Sequence, residues 1–340
     1  MEVNHTTKQW KIDTPEDHRL NEAADWLKDG KLVAFPTETV YGLGADARND
    51  QAVKNIFEAK GRPADNPLIV HVGDVEAVSE LVTEVPEHAK KLMETFWPGP
   101  LTIILPVGNQ LASDVTAGLD TVGIRIPDHE IGRALLKAAN IPVAAPSANR
   151  SGRPSPTSAA HVITDLNGRI DGVVDGGITG VGVESTVIDC SLETPMILRP
   201  GGVTREQIEG VIGPVDVTGK LTASEQPRSP GMKYKHYAPD TAVWLVREAG
   251  NMAEIANQLK DQGKKVGYLV SLERAHEMNL EQPFILGSRE NIDEITQQLY
   301  QKLREIDEHD YDVVLAESFS KKGIGEALMN RLERAASEIK

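Results

Sequence analysis

The sequence predicts an α/β protein in which a twisted, mixed, open sheet with flanking helices is followed by a linker and a small, Rossmann-like three-layer α/β domain. Short apolar runs typical of strands alternate with segments of helical spacing along most of the chain. A proline-rich segment at 226–239 interrupts this alternation. The length of 340 residues is sufficient for two domains, each with its own core.

The composition restricts the class of protein. The formal net charge of −15 argues against a general nucleic-acid binder, because such proteins usually carry a basic surface. The one cysteine, Cys190, excludes a disulfide framework and is typical of a reducing compartment. No segment approaches the roughly 20 uninterrupted apolar residues of a membrane span, and residues 1–30 lack the apolar region of a signal peptide. We therefore expect a soluble, cytoplasmic protein that does not bind membranes.

The N-terminal part alternates strands and helices. Residues 9–12 have the pattern of a strand, and the turn at 13–15 predicts a helix that continues to about Lys28. Residues 31–35 form a short apolar strand, and 51–59 have helical spacing. Further strands are predicted at 68–72, 101–106, 122–126, 142–145, 172–175, 186–190 and 196–198, and helices near 74–82, 86–95, 129–139 and 157–166. Because consecutive strands close this region, we expect a mixed sheet rather than a strict βαβ repeat.

The segment 226–239 predicts a linker between a first domain at 1–225 and a second at 240–340. It contains three prolines and a glycine around two tyrosines, a histidine and two lysines. A passive tether and a segment that also touches ligand remain equally supported by this composition. Beyond it, strands are predicted at 242–246, 265–270, 283–286 and 312–317, and helices at 251–262, 291–308 and 324–338. This alternation predicts parallel strands in three layers.

Seven polar segments rich in Gly, Pro or Ser separate the apolar runs of the first domain, where binding chemistry usually lies in an α/β scaffold. They span 36–44, 60–71, 98–102, 123–129, 145–152, 184–189 and 198–202. They supply hydroxyls, backbone N–H groups and five cations: Lys60, Arg62, Arg125, Arg150 and Arg199. That set suits a polyphosphate together with a carboxylate. The sequence therefore indicates activation of an oxyanion by a nucleotide.

Several familiar motifs are missing from the sequence. There is no P-loop, and Gly323-Ile324-Gly325 lacks the third glycine of the dinucleotide fingerprint, so we expect it to start a helix. No Cys/His cluster has zinc spacing, and Ser147 lacks the flanking glycines of a nucleophile elbow. His129, His161 and Cys190 belong to no constellation and are expected to be structural.

Three cationic positions each allow two interpretations. Lys60 and Arg62 could neutralise a helix C-terminus that Gly61 ends, or could bind phosphate from a rigid loop. Arg125 stands between two isoleucines of an apolar strand, where an unpaired cation is costly. It either forms an internal salt bridge, to Glu38 or Glu184 for instance, or receives a substrate carboxylate. Arg199 ends a strand, where arginine often faces solvent.

The order and spacing of the seven segments resemble the YrdC-like threonylcarbamoyl-AMP synthases in their two-domain form. The resemblance covers nearly the whole chain and returns in the last helix at 325–332. It implies a YrdC-like fold for the first domain. It also implies a reaction in which L-threonine, bicarbonate or CO2 and ATP give threonylcarbamoyl-AMP and pyrophosphate. That product serves the N6-threonylcarbamoyl modification of the adenosine beside the tRNA anticodon.

The resemblance also implies site residues. Those expected around threonine are Thr39, His71, Arg125, Ala145 and Ser185. Those expected around ATP are Arg62, Asn66, Thr121, Ser147, Asn149, Ser155, Arg199 and Tyr237, with His236 and Lys233 as further linker candidates. Lys60 and Arg62 are the expected catalytic cations, and Mg²⁺ is expected on the ATP phosphates, with no protein ligand indicated and no tightly bound organic cofactor. The product would pass to a tRNA threonylcarbamoyltransferase complex, without strong direct binding of nucleic acid.

Two other functions fit the same fold. A carbamoyltransferase that forms carbamoyl-AMP would usually carry Cys-x-x-Cys zinc pairs, which a chain with one cysteine cannot supply. An RNA-binding or ribosome-maturation factor would use a basic cleft, and the acidic balance argues against it.

Overall fold

The computed structural model describes residues 6–218, 228, 237–247 and 251–340. The chain forms two compact units. The first contains residues 1–151, 156–180 and 184–233, and the second contains 152–155, 181–183 and 234–340. Two short segments from within the predicted first domain at 1–225 therefore belong to the second unit, which a single boundary predicted from the sequence does not anticipate. Most of the predicted linker at 226–239 lies outside the described residues.

The first unit is built on one sheet of eleven strands within the described residues, in the order β1-β8-β2-β3-β7-β4-β6-β5-β9-β10-β11. The strands are β1 (Lys8–Lys11), β2 (Val33–Phe35), β3 (Gly42–Asp46), β4 (Ile69–His71), β5 (Leu101–Pro106), β6 (Thr121–Arg125), β7 (Val143–Ala144), β8 (Gly172–Asp175), β9 (Thr186–Asp189), β10 (Met196–Arg199) and β11 (Asp216–Val217). Parallel and antiparallel pairs are interspersed: β4 lies parallel to β6 but antiparallel to β7, and β6 lies antiparallel to β5. The prediction of a mixed sheet is confirmed.

The helices of this unit fill the connections between strands. They are α1 (Arg19–Lys28), α2 (Asp50–Lys60), α3 (Val78–Leu81), α4 (Glu87–Phe96), α5 (Ser113–Thr116), α6 (Glu130–Ala139), α7 (Ala159–Leu166) and α8 (Arg205–Ile212). Several start at a side-chain cap; for example, Asn49 accepts hydrogen bonds from the backbone N–H groups of Gln51 and Ala52. No helix of the described residues is long and apolar enough to cross a membrane.

The two faces of the sheet are packed differently. The main apolar core lies on one face and includes Val70, Ile103 and Ile124. On the other face, helices α1 and α6 pack over the side of the sheet formed by β1, β8, β2, β3 and β7. Phe35 and Val143 are buried there. Beyond β7 that second face carries a small apolar cluster of Ile69, Ile104, Val187 and Leu198. Polar residues that include His71, Thr102 and Arg125 occupy other positions on that face.

The sequence does not predict β3, which overlaps the polar segment at 36–44. Gly42–Asp46 contains two glycines and no β-branched residue, so its local preference for a strand is weak. Tertiary packing forms it all the same, because it hydrogen-bonds β2 on one side and β7 on the other and is buried throughout. A Cβ at Gly44 would lie 2.9 Å from Val143 Cγ1, so the close approach requires glycine. The predicted start of the first helix near Pro15 was also wrong, since α1 begins at Arg19.

The second unit contains one all-parallel sheet in the order β14-β13-β15-β12-β16. Its strands are β12 (Ala242–Val246), β13 (Val266–Val270), β14 (Phe284–Ile285), β15 (Val313–Glu317) and β16 (Glu338–Ile339), and its helices are α9 (Met252–Asp261), α10 (Leu272–Glu277), α11 (Ile292–Ile306) and α12 (Gly325–Ala335). The predicted last helix was too long, because the chain leaves α12 after Ala335 and adds β16 as an edge strand beside β12. The Gly323-Ile324-Gly325 segment starts α12, as expected.

Two helical glycines provide a matched test of packing in the first unit. A Cβ at Gly132 in α6 would lie 2.2 Å from the carbonyl oxygen of Pro36, whereas a Cβ at Gly210 in α8 would meet nothing within 4 Å. We expect Gly132→Ala to destabilise the protein by roughly 1–3 kcal/mol through overpacking. Gly210→Ala should stabilise it by roughly 0.5–1 kcal/mol, because alanine is the better helix former. Urea unfolding of both variants measures the difference, and equal shifts of one sign would contradict it.

Candidate active site

Strand alternation gathers the polar residues on the second face of the sheet. Thr121, Gly123 and Arg125 point to one side of β6, and Val122 and Ile124 point to the core. The register places His71 beside Arg125 and Ile69 beside Gly123. Thr102 on β5 lies opposite Val187, which belongs to the same face. One face of β4, β5 and β6 therefore presents a row of polar side chains in an otherwise apolar setting.

Arg125 is the centre of this row and is 4% exposed. Its Nη1 donates a hydrogen bond of 3.0 Å to Thr39 Oγ1, and its Nη2 lies 2.5 Å from Glu38 Oε2. The salt bridge to Glu38 that the sequence left open is present. Neither Arg125 Nη2 nor Nε, nor either oxygen of Glu38, has a hydrogen bond of good geometry to a protein group. The pair is in contact but poorly aligned, so hydrogen-bonding capacity is left over on both side chains.

The loop before β3 holds Thr39 in place. Thr37 Oγ1 donates to the carbonyl of Val40, and the backbone N–H groups of Thr39 and Val40 lie 3.2 Å from Thr37 Oγ1. The two threonine hydroxyls are 2.8 Å apart. These contacts fix the Thr39 hydroxyl in a position that faces Arg125 Nη1.

His71 is neutral in this setting. Burial, followed by the nearby Arg125 charge, lowers the pKa of the imidazole from 6.5 to about 3. The Nδ1 atom lies 3.3 Å from the carbonyl oxygen of Ile69, which assigns the proton to Nδ1 and leaves Nε2 as an acceptor. The row therefore combines one fixed cation with a neutral hydrogen-bond acceptor.

Ser185 is held from two sides at the same end of the sheet. Its hydroxyl is 2.8 Å from Thr102 Oγ1, and Arg199 Nη2 donates to both its carbonyl (2.9 Å) and its hydroxyl (3.1 Å). Arg199 is buried rather than solvent-facing, which settles that alternative. A bulge between Ile197 and Arg199 pairs Arg199 with Val187 and so turns it to the polar face, away from the core face of Ile197.

Gly201 allows this arrangement to form. A Cβ there would lie 2.2 Å from the backbone nitrogen of Thr186 and 2.3 Å from the carbonyl oxygen of Glu184. Only glycine permits the chain after β10 to pack this closely on the segment that presents Ser185.

The first two residues expected around ATP lie at the opposite end of strands β4 and β6 from His71 and Arg125. Asn66 precedes β4 and Thr121 begins β6, so both lie at the amino ends of two parallel neighbours. Four residues of extended strand put Thr121 roughly 13 Å from Arg125. Asn66 is fully buried, and neither atom of its side-chain amide hydrogen-bonds a protein group. Arg62 Nη2 donates a hydrogen bond of 3.0 Å to the carbonyl of Asn66.

Lys60 ends α2, and its ammonium donates to the carbonyl oxygens of Ser147 (2.5 Å) and Asn149 (2.7 Å). Burial, followed by the Arg62 charge, lowers the pKa of Lys60 well below 10.5. Gly61 ends the helix in the left-handed conformation, with φ of 61°. The helix end that Gly61 caps is therefore present, and phosphate binding by Lys60 and Arg62 stays a prediction. In this state Lys60 orders the turn that carries Ser147 and Asn149.

The 145–148 segment runs beside the start of β3. Ala145 N donates to the carbonyl of Ile69, Leu43 N to Pro146 and Ala148 N to Tyr41. Ala145 and Ser147 therefore lie between the Arg125 end and the Asn66 end of β4. Because β3 and the residue before it hydrogen-bond this segment, β3 helps to position Ala145 and Ser147.

Two predicted ATP residues belong to the second unit. Ser155 is buried there, and Tyr237 has a left-handed backbone with φ of 68°. The Tyr237 ring stacks on Tyr300 at 5.4 Å, and the Arg331 guanidinium lies 5.4 Å from its centroid. Their roles at ATP stay predictions. His236 and Lys233 lie outside the described residues.

The remaining candidate groups are structural. His129 caps α6 by accepting from Gly132 N, and His161 Nδ1 lies 3.2 Å from Thr157 N. Burial raises the pKa of the Cys190 thiol, which suppresses the reactive thiolate. Within the described ranges, no group of three or more His, Cys, Asp or Glu residues is placed to hold a metal ion. The arrangement offers fixed cations and hydrogen-bond donors, which are the groups that suit anionic ligands.

Sequence reasoning missed two residues of this site. Thr102 ends the polar segment 98–102, and the signal for it is a lone threonine within the apolar strand Leu-Thr-Ile-Ile-Leu. Glu38 was considered only as one possible partner of Arg125, and no spacing rule distinguishes it from Glu184.

Comparison with known proteins supports the family resemblance that the sequence motifs indicate. Residues 25–201 match the Sua5_yciO_yrdC family model, described as telomere recombination, and residues 203–337 match the threonylcarbamoyl-AMP synthase C-terminal domain. The chain is 49% identical to the threonylcarbamoyl-AMP synthase of Bacillus subtilis, over 97% of this chain and 98% of that protein. It is 46% identical to the Pyrococcus abyssi protein of the same name, over 94% and 95%.

Solved structures agree with these matches. A crystal structure of P. abyssi Sua5 complexed with L-threonine superposes with a TM-score of 0.90 at 44% identity, covering 98% of each chain. Escherichia coli YciO superposes with a TM-score of 0.53 at 25% identity, covering 57% of this chain and 96% of its own. The YrdC-like fold expected for the first domain is confirmed.

The neutral state of His71 predicts a pH dependence of stability. Because its folded pKa of about 3 lies below the unfolded 6.5, its contribution is complete above about pH 6.5 and is lost as the pH falls toward 3. Between pH 6.5 and 4.5, the free energy of unfolding of the wild type should fall by about 2–3 kcal/mol more than that of His71→Gln. Urea unfolding at several pH values measures this. His18, with a 92% exposed side chain, supplies the control His18→Gln, which should leave the slope unchanged; parallel curves for wild type and His71→Gln would contradict it.

Proposed function

The chain belongs to the Sua5–YciO–YrdC family, in its two-domain threonylcarbamoyl-AMP synthase form, and we propose that its first unit forms threonylcarbamoyl-AMP and pyrophosphate from L-threonine, bicarbonate or CO2 and ATP. It is a nucleotidyltransferase that serves threonylcarbamoyladenosine synthesis in tRNA. No observation favours the carbamoyl-transfer or RNA-binding alternatives over this function.

The observation that carries the residue assignment is a pair of unsatisfied polar groups, Arg125 at the end of β6 and Asn66 in the loop that precedes β4. Buried polar groups normally find protein partners, because leaving one without costs roughly 1–3 kcal/mol. Arg125 and Asn66 both retain buried atoms without a hydrogen bond to protein. A carboxylate at Arg125 and a nucleotide at Asn66 would satisfy them.

Threonine binds at the Arg125 end in this proposal. Its carboxylate takes the guanidinium, for which two parallel N–H groups are the preferred geometry. Thr39 places a hydroxyl beside the guanidinium, and Ser185 supplies a second hydroxyl next to Thr102 on the neighbouring strand β5. The Nε2 atom of neutral His71 can accept a hydrogen bond from the substrate hydroxyl. A protonated His71 would repel the ammonium of threonine, so its low pKa serves binding.

ATP binds toward the Asn66 end, beside Thr121, Ser147 and Asn149. The threonine amine captures CO2 as a carbamate, a carbamate oxygen attacks the α-phosphorus of ATP, and pyrophosphate departs. This chemistry needs alignment and charge stabilisation more than a protein nucleophile. Arg62 supplies a cation there, and Lys60 holds the turn that carries Ser147. Arg199, predicted at ATP, orients Ser185 in this structure, and its contact with the nucleotide stays a prediction.

Mg²⁺ is proposed to enter with the phosphates of ATP, since it favours phosphate oxygens and retained waters over an all-protein cage. When bound it would neutralise charge on the departing pyrophosphate. We also propose a cytoplasmic location and transfer of the product to a tRNA threonylcarbamoyltransferase. A mixed anhydride is labile in water, so a consuming enzyme that accepts it directly would limit its loss.

The reaction predicts a dependence of pyrophosphate release on every substrate. With ATP and Mg²⁺, release should require both L-threonine and bicarbonate, and EDTA should abolish it. Product threonylcarbamoyl-AMP is identified by mass spectrometry of the same samples. Threonine-independent release at the full rate, from folded protein that binds ATP, would contradict the proposed substrate.

The two ends of the site predict different kinetic defects. Arg125→Ala should chiefly raise the KM for threonine, by roughly 10- to 100-fold, because a charged hydrogen bond to the carboxylate is lost. Arg62→Ala and Lys60→Ala should chiefly lower kcat, because they disturb alignment at the nucleotide. Steady-state kinetics with each substrate varied in turn separates the two effects. Identical small changes in all three variants would show that these residues lie outside the site.

A further inference from the structure

Glu38 is the carboxylate in direct contact with Arg125. Its side chain is 11% exposed, and Oε2 lies 2.5 Å from Arg125 Nη2. Neither Glu38 oxygen has a well-aligned hydrogen bond to protein, although each could accept two. A buried carboxylate with such spare capacity is costly unless a donor arrives.

The other titratable groups around Arg125 do not offer a comparable acceptor. His71 faces it from β4, and burial keeps the pKa of that imidazole near 3. His129 lies close enough to Glu38 to feel its charge, but burial lowers the pKa of His129 and its Nδ1 caps α6. Asp128 and Glu130 are exposed and flank His129 in the sequence. Glu38 is therefore the one anionic group among the described residues that contacts the guanidinium.

We propose that Glu38 is a catalytic residue that receives the α-ammonium of threonine and takes a proton from it. This inference rests on the proposed function. In an α-amino acid the ammonium and the carboxylate are attached to the same carbon, so an ammonium must lie next to any carboxylate that Arg125 holds. Glu38 already occupies that neighbouring position.

Binding would exchange partners without leaving a charge uncompensated. The substrate carboxylate replaces Glu38 on Arg125 Nη2 and can also reach Nε, which lacks a hydrogen bond to protein. The released Glu38 carboxylate then accepts the substrate ammonium. Two ion pairs replace one, so the buried site keeps its charge balance when the zwitterion enters.

The proton transfer makes the nitrogen nucleophilic. An N–H proton moves from the ammonium to a Glu38 oxygen, leaving a neutral amine and a neutral carboxylic acid, a pair that a buried site favours over two separated charges. The nitrogen lone pair forms the C–N bond to CO2, and the nitrogen releases its second proton to water. Glu38 returns its own proton to solvent. The carbamate and two protons balance the ammonium and CO2 consumed.

The test compares threonine with 3-hydroxybutanoate, which keeps the carboxylate and hydroxyl but lacks the amine. Binding of both is measured by calorimetry to wild type, to Glu38→Gln and to the control Glu130→Gln, an exposed carboxylate on α6. Glu38→Gln should weaken threonine binding by roughly tenfold or more, because the charged hydrogen bond to the ammonium is lost. Binding of 3-hydroxybutanoate should stay within about threefold or become tighter, and Glu130→Gln should change neither.

Turnover provides the second readout. General-base catalysis contributes roughly 10²-fold or more, so kcat of Glu38→Gln should fall by that factor even at saturating threonine. Glu38→Asp, which keeps the charge on a shorter stem, should retain the preference for threonine over 3-hydroxybutanoate while losing turnover. Circular dichroism and thermal melting check folding of both variants.

Three results would overturn the proposal. Equal weakening of both ligands would make Glu38 a structural partner of Arg125, equal tightening would make it only a competitor for the guanidinium, and an unchanged kcat at saturation would exclude the proton transfer. Failure of the proposed function looks different, because wild type itself would then neither bind threonine nor release pyrophosphate in response to it.

Discussion

The requirement to keep a guanidinium in the interior of a sheet organises the first unit. Arg125 lies on β6 among apolar residues, where an uncompensated charge would cost several kcal/mol. Glu38 and Thr39 from the loop before β3 and a neutral His71 from the end of β4 surround it. The loop before β3 and the end of β4 are both arranged around this one charge.

The mixed strand directions make that arrangement possible. Parallel pairing of β4 with β6 puts His71 beside Arg125 and, at the other ends of the same strands, Asn66 near Thr121. Antiparallel β7 then returns the chain toward the Asn66 end with Ala145 and Ser147. One face of three adjacent strands therefore spans roughly 13 Å, enough to bring an amino acid and a nucleotide together. The opposite face carries the apolar core, so stability and chemistry use different sides of the sheet.

Much of the fold and part of the site could be predicted from the sequence. Strands such as β5 (Leu101–Pro106) and β12 (Ala242–Val246) have strong local signals, and a lone arginine in an apolar strand indicates function because burial of charge needs a reason. β3 could not be found, since its two glycines have weak local preference and its strand exists through pairing on both sides. The partner of Arg125 was equally out of reach, because Glu38 and Glu184 are alike in sequence.

The sequence by itself determined which residue types the site would hold: the cations, hydroxyls and amide, their order along the chain, and the mixed α/β class. Those features depend on local periodicity and composition, which each segment carries on its own. Only the tertiary structure decided which of them meet. The bulge that turns Arg199 to Ser185, the contact of Glu38 with Arg125 and the use of Lys60 to hold the Ser147 turn all join residues distant in sequence. Their energies depend on burial and register, which exist only once the strands have paired.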